Sequence, residues 1–479
     1  MATITSLGIG TNGLDLESLL SKQVAAESLP ITALATQTQG LQTKLSAYGQ
    51  IQSSMSTLQT ALQALTSPST WNSVVANSSD SSSVSVSAAD GASAGNVSVS
   101  VTKLATAQTL SSGVYTNTTD AVGGGSLTIQ LGQWSSDQSS FTAGAGSPVT
   151  INIADGSSLT SVRDQINAAG AGVTASIVTD SSGSRLVLRG TNTGLSQGFK
   201  ITASDNDGNS TDASGLSALA FDPSNGVNSL TQKIAAGNAT ANVNGLDIDS
   251  ESNTLKTVVD GLTINLLKAN SSATLSVTQN SDGIKAAINT FVSAYNAMSS
   301  LLATDTKYDQ DSKSAGPLQG DSTAVGLQQL MRNAGGGSTS LGGAFTRLAD
   351  IGLDPQKDGT LKVDTTKLTN ALANTADLKS FFMGTDSGNA GNSGLGQQLL
   401  SFANTALSFD GQIKNAQTGL QGRIDQNNTR SDELQSHLDL FSQRLRDRYN
   451  ALDTQMSQLN SLSTYVQQQL AALTASNSK

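Results

Sequence analysis

Gly8, Gly10 and Gly13 stand in the spacing G-x-G-x-x-G within the stretch SLGIGTNGLDLESLL, residues 6–20. In that spacing glycines can cradle a pyrophosphate, but only between a buried strand and a helix, with a second strand carrying an acid about 20 residues on. Here the first helix runs into Pro30 and is followed by more helical text, so the second strand is missing. The glycines therefore read as a permissive lead-in to a helix rather than a nucleotide loop. His437 is the one histidine, so any Ser-His-Asp triad would have to use it. It sits in the helical text SDELQSHLDLFSQ among Leu434, Leu438 and Phe441, far from any nucleophile-elbow pattern, and reads as an incidental helix residue. Asp247 and Asp249 alternate on a short strand at a turn, which is ordinary loop chemistry. The run DNDGNSTDASG, Asp205–Gly215, has acids around a glycine but no closing bidentate Glu and no flanking helix pair, as a calcium loop of the helix–loop–helix kind requires. There are no cysteines, which removes disulfides, thiolate nucleophiles and thiolate metal sites. No catalytic, metal-binding or cofactor-binding residue is expected.

The composition agrees. Among 479 residues only 13% are charged, about half the usual share, and Ser, Thr, Asn, Gln and Gly fill the difference. A net charge of −10 without a basic stripe disfavours nucleic acid, whose phosphates need clustered Lys or Arg. The arginines of FSQRLRDRYN are interleaved with Asp447 on a helix and read as a solvated face. No apolar run reaches the roughly 18 to 20 residues that span a bilayer. The first basic residue is Lys22 and no apolar segment follows it, so export by a cleaved signal peptide is not expected.

Helical text at both ends flanks a β-rich middle. Near the N-terminus, Leu34, Leu41, Tyr48, Met55 and Leu62 recur at seven-residue steps; Ile31 and Leu45 lie on a companion seam, and Ile51, Leu58 and Leu65 beside it. Near the C-terminus one heptad position reads Ile424, Ser431, Leu438, Leu445, Leu452, Leu459, Val466, Leu473, apolar at seven of eight steps. Its second seam is weak: Leu434, Phe441 and Leu462 alternate with Asn427, Arg448, Gln455 and Gln469. Such a helix needs a partner, and the N-terminal heptad segment is the obvious candidate. From about residue 72 to 282, NVSVSVTKL, SLTIQLG, VTINIAD, VTASIVTD, SRLVLRG and ATLSVTQ alternate apolar and polar residues as half-buried strands do. SLTSVRDQINAAG is a short helix with Val162 and Ile166 inward and Gly170 as its stop. Helix returns at SDGIKAAINTFVSAYNAMSSLLA, where Ile284, Ile288, Phe291, Tyr295 and Met298 form a core stripe, and again at TAVGLQQLMRNA, DTTKLTNALANTADLKSFF and GLGQQLLSFANTAL. The fold class is α+β: terminal helices forming a coiled-coil leg and helical bundle, with a β-rich head inserted between them.

Several blocks, in order, resemble the flagellar filament cap protein family (flagellar hook-associated protein 2). They are GIGTNGLDLESLLSKQVAAESLPI, YGQIQSSMSTLQTALQAL, ANVNGLDIDSESNTLKTVVDGLTINLL, INTFVSAYNAM, GPLQGDS, LADIGLDPQKDGTLKVD and QMSQLNSLSTYVQQQLAAL. SVRDQINAAGAGVTASIVTDSSGSRLVLRGTNTG looks like the flagellin hook motif found in that family's head. Residues 108–145 and the tail after Leu473 carry little of the resemblance.

The resemblance implies a structural assembly protein, not an enzyme. It would be secreted through the flagellar type III channel and sit at the filament tip as a homo-oligomeric ring, described in the family as a pentamer. There it retains exported flagellin and promotes its folding and insertion. The further partners implied are hook–filament junction proteins and an export chaperone on the C-terminal helices, with no nucleic acid and no membrane insertion. The expected division is a leg helix 1–42 pairing with the coiled-coil leg 430–479; a helical stalk of 43–75 and 283–429; a β-rich head domain of 76–107 and 233–282; and a second head domain, 108–232, with the hook-type motif. The seam residues expected to contact other subunits, the filament or the chaperone are Leu14, Leu16, Leu34, Leu41, Leu45, Tyr48, Met55, Leu438, Leu445, Leu452, Leu459, Leu462, Val466 and Leu470. The alternative is an adhesin-like head binding host glycan or mucin, although the two tryptophans, Trp71 and Trp134, form no aromatic cluster in the sequence.

Overall fold

The computed structural model describes residues 16–476 apart from Ser312. Contacts group the chain into two units, one built from both of its ends and one from Trp71–Gly283.

In the first unit, helix Leu16–Glu27 passes into helix Leu29–Leu65 through Ser28. Pro30 lies in the first turn, where a missing N–H costs nothing. Ser28 keeps helical dihedrals and its N–H donates to the Val24 carbonyl (3.0 Å), so the first helix passes directly into the second. The long helix buries one stripe: Leu41, Tyr48, Ile51, Met55, Leu58, Leu62 and Leu65 are 0–5% exposed. Helix Ser281–Thr306 buries Ile284, Ile288, Phe291, Tyr295 and Met298 completely or nearly so. Phe291 meets Phe382 edge-on, and Phe382 meets Phe381 the same way at 5.0 Å, the favourable arrangement for ring quadrupoles. Tyr295 donates its hydroxyl to the Met331 carbonyl (2.9 Å). Gly335 lets that ring approach, because a Cβ there would sit 2.3 Å from the Tyr295 oxygen.

The helical text DTTKLTNALANTADLKSFF forms two helices, Thr365–Leu372 and Thr375–Met383. Asn374 separates them by accepting the Asp377 N–H and capping the second. A small hairpin of Leu353–Pro355 with Leu361–Val363, not anticipated from the periodicity, lies between helices of this unit.

The second unit has two hydrophobic cores. In one, the antiparallel strands Val74–Ser78, Ser271–Gln279, Gly95–Lys103, Ala239–Val243 and Leu246–Ser250 form a five-stranded sheet in that order. Together with the three-stranded sheet Thr254–Leu255, Leu262–Leu266 and Val84–Ala88 it encloses Val97, Val99, Val101, Ile264 and Leu275. Alternation along Gly95–Lys103 places those valines inward and Ser98 and Ser100 outward. In the other, Gly198–Asp205 and Gly125–Trp134 pair in a sheet completed by Phe141–Ala143 and Val149–Ile153. A further sheet runs Thr231–Ile234, Thr109–Ser111, Gly183–Gly190, Val173–Asp180. Helix Leu159–Ala168 buries Leu159, Val162 and Ile166 in this second core, and Ser158 caps it by accepting the Ser161 N–H (3.1 Å).

Candidate assembly surface on the terminal helices

The 65-residue helix Gln412–Ser476 runs antiparallel to the N-terminal rod, as three polar contacts show. Gln417 donates to Gln52 Oε1 (3.0 Å), Asn427 to Thr38 Oγ1 (3.3 Å) and Tyr449 to Gln23 Oε1 (3.5 Å). Ile413, Leu420, Ile424 and Leu438 are buried along this contact and Leu445 is half-buried. On the facing rod Leu20, Leu41, Tyr48 and Met55 are buried, while Leu34 and Leu45 are half-buried. Tyr48 also donates to Asp321 Oδ1 (2.6 Å), the carboxylate that caps helix Ser322–Gly335. Burial, then that carboxylate, push the Tyr48 hydroxyl's pKa up, so it remains a donor.

Past Asp453 the helix changes character. Every described side chain from Thr454 to Thr474 is exposed. Leu452, Leu459 and Val466 continue the Leu438–Leu445 stripe at seven-residue steps, yet they are 45%, 59% and 46% exposed. Leu462, Leu470 and Leu473 are exposed as well. The helix thus has one apolar seam in two states, covered by this chain's own rod up to Leu445 and bare from Leu452 onward. Backbone hydrogen bonds satisfy the bare half internally, but its apolar stripe has the pattern that buries against another helix. Of the other expected seam positions, Leu14 and the side chain of Leu16 lie outside the described residues.

Gly8, Gly10 and Gly13 lie outside the described residues. His437 is an exposed helix residue. Asp247 accepts from Asn242 (2.7 Å), and Asp249 accepts from Asn238. In the Asp205–Gly215 loop, Asp205 Oδ2 accepts the Ser217 N–H, and Asp212 Oδ1 accepts the Ser214 N–H and the Ser217 hydroxyl. Those oxygens serve the loop itself. Among the described residues, no three His, Cys, Asp or Glu side chains gather as a metal site would need, and no helix is long and apolar enough to cross a membrane. Trp71 and Trp134 are both buried, and the Trp134 indole donates to the Phe199 carbonyl (3.1 Å).

Sequence reasoning missed a recurrent device. Gln108 donates to the Phe199 carbonyl (2.9 Å) and accepts the Phe199 N–H (2.8 Å), replacing a neighbouring strand with one side chain. Asn167 does the same to Ala175, Asn253 to Ala105 and Asn296 to Leu361. Neutral amides thereby satisfy both the N–H and the C=O of one backbone residue at a time. Only a general richness in Asn and Gln hinted at them.

Comparison with known proteins matches this arrangement of terminal helices around β cores. The family model described as flagellar hook-associated protein 2 N-terminus matches residues 12–108, and that described as its C-terminus matches residues 236–461. The chain belongs to the flagellar hook-associated protein 2 family. A third family model, the flagellin hook IN motif, matches residues 140–192. Flagellar hook-associated protein 2 of Escherichia coli K12 is 33% identical over 485 residues, covering 98% of each chain. That of Salmonella typhimurium LT2 is 32% identical, covering 99% of this chain and 100% of the relative. Among solved structures, the D1-D2-D3 domains of the E. coli flagellar cap protein FliD are 32% identical with a TM-score of 0.61. That likeness covers 78% of this chain and 99% of the solved one. The terminal seam therefore belongs to a protein of the hook-associated protein 2 family, and its bare half is the family member's candidate surface for assembly.

Proposed function

We propose that this chain caps the distal end of the flagellar filament as a homo-oligomeric ring of five copies, retaining exported flagellin and promoting its folding and insertion. Membership of the hook-associated protein 2 family, together with a near-full-length relative from E. coli and the E. coli cap structure, supports the capping reading. One observation carries the assembly surface: the heptad stripe is covered through Leu445 and bare from Leu452 to Leu473. In the cap this stripe packs against helices of the filament end or of neighbouring subunits. Before secretion through the flagellar export channel, a chaperone shields the same apolar residues. Hook–filament junction proteins are the first surface on which the ring sits.

The test is native mass spectrometry of the full chain beside one ending at Asp453, each then expressed in a motile bacterium whose own cap gene is deleted. A ring and restored motility for the full chain, both lost on truncation, are expected. Equal motility from the truncated chain would refute the assignment of the surface. No motility from a full chain that is demonstrably secreted would refute the capping reading itself.

A further inference from the structure

The two β cores of the Trp71–Gly283 unit share no sheet, since every strand pairs only within its own core. The chain crosses between them twice, at Ala105–Ala107 and at Ala235–Gly237. The crossings are tied to each other: the Thr106 N–H donates to the Gly237 carbonyl (2.8 Å), the Gly237 N–H returns to the Thr106 carbonyl (3.1 Å), and the Thr106 hydroxyl donates to the Ala235 carbonyl (2.8 Å). Small side chains at both crossings leave a narrow two-chain waist. Beside it lies an open cleft of about 260 Å³ lined by Trp134, Gln138, Leu195, Gln232, Ala235 and Ala236.

One turn from the Leu110–Leu230 core reaches across this waist. Thr193 donates its hydroxyl to the Glu251 carbonyl (2.7 Å), and the Leu195 N–H donates to Asn238 Oδ1 (2.7 Å). Asn238 in turn donates to Asp249, so it joins the turn to the edge strand of the other core. Between the two contacts, Gly194 has φ +113°, and a Cβ on it would lie 2.5 Å from the Glu251 Cβ. The contact is short, neutral and free of buried apolar side chains, as Leu195 itself is exposed. A joint of this kind opens without disrupting either core.

We propose that the waist is a hinge and that the Thr193–Leu195 turn is its latch, so that the Leu110–Leu230 core swings as a rigid body when Glu251 and Asn238 release the turn. The cleft beside Leu195 supplies room for the swing. The device gives a subunit a way to change the pose of its head while both cores stay packed.

Because the chain has no cysteine, Ser81→Cys and Asn209→Cys place one dye on an exposed loop of each core without background labelling. Single-molecule energy transfer on the otherwise intact full chain should show one narrow distribution. Adding T193V/N238A, which removes both side-chain hydrogen bonds of the latch and leaves only the Gly194 N–H on the Thr106 carbonyl (3.3 Å), should broaden it at least twofold or add a second population, with far-ultraviolet circular dichroism unchanged. Gly194→Val, a wedge in the contact, should do the same. An unchanged narrow distribution in T193V/N238A, or an equally broad one in the parent, would overturn the latch. Loss of the near-ultraviolet tryptophan signal in T193V/N238A would also overturn it, since these bonds would then hold a core together rather than join two.

Discussion

Replacing Leu459, Leu462, Val466 and Leu470 together by glutamine separates the two halves of the C-terminal seam. These side chains are 46–59% exposed in the isolated chain, and glutamine matches leucine closely in helix propensity. Each replacement should therefore alter the stability of the free chain by no more than about 0.5 kcal/mol. A partner that covers the stripe removes the remaining half of each side chain from water. Full burial of a Leu or Val is worth about 1.5–3 kcal/mol, so the half still exposed is worth about 1 kcal/mol per residue and about 4 kcal/mol for four. At about 1.4 kcal/mol per tenfold, assembly should weaken on the order of a thousandfold. The contrast is Ile424→Ala in the covered half, where the side chain is 4% exposed and truncation should cost about 2–5 kcal/mol. Thermal unfolding of the free chain and complementation of motility in a cap-deleted strain are the two readouts. An unchanged melting temperature with lost motility is expected for L459Q/L462Q/V466Q/L470Q. A fall of many degrees would mean that the stripe is already covered within the chain, and full motility would mean that nothing ever covers it.

Other residues give sharper tests of the fold. Gln108→Ala leaves the Phe199 N–H and carbonyl without their amide partner in a buried site, at about 1–3 kcal/mol, readable as a lower urea midpoint, whereas the same change at exposed Gln435 should be nearly silent. Asp305 is 5% exposed, its Oδ2 has no hydrogen-bond partner among the described residues, and burial pushes its pKa up. A raised carboxyl pKa means that the folded state holds the proton more tightly, so stability falls as pH rises from the unfolded value through the folded one. Asp305→Asn should therefore raise the melting temperature at pH 7, and the gain should vanish near pH 3, where Asp305 is protonated in both states. Asp80 and Asp137 have the opposite sign: hydroxyl and backbone donors from Ser82, Ser83, Ser135 and Ser139 hold each pKa down at about 2. Their contribution is present above pH 4 and lost as pH falls toward 2, so acid titration followed by near-ultraviolet circular dichroism should show the β unit loosening in that window. S82A/S83A should move its onset to higher pH.

The helices were legible wherever one face alone is buried. Seven-residue spacing from Leu34 to Leu62 and from Ile424 to Leu473 is visible in the sequence because an amphipathic helix repeats its environment at nearly that period. Alternation in NVSVSVTKL showed a strand for the same reason, with period two. The break at Asn374 was harder to see, because one capping side chain outweighs otherwise continuous helical text. The amide clamps were invisible: Gln108 and Phe199 lie 91 residues apart, and nothing in either neighbourhood names the other.

The candidate surface divides the same way. Sequence by itself determined that the C-terminal helix carries an apolar seam, since hydrophobic spacing is a local property of one strand of text. Only the tertiary structure decided which half of that seam is used up. The rod from Leu16 to Leu65 meets the helix antiparallel, with Gln52 beside Gln417 and Gln23 beside Tyr449, and coverage ends near Asp453. Identical leucines on either side of that point differ in fate because burial depends on what lies opposite in space, and register between distant segments is settled by packing rather than by the residues' own periodicity.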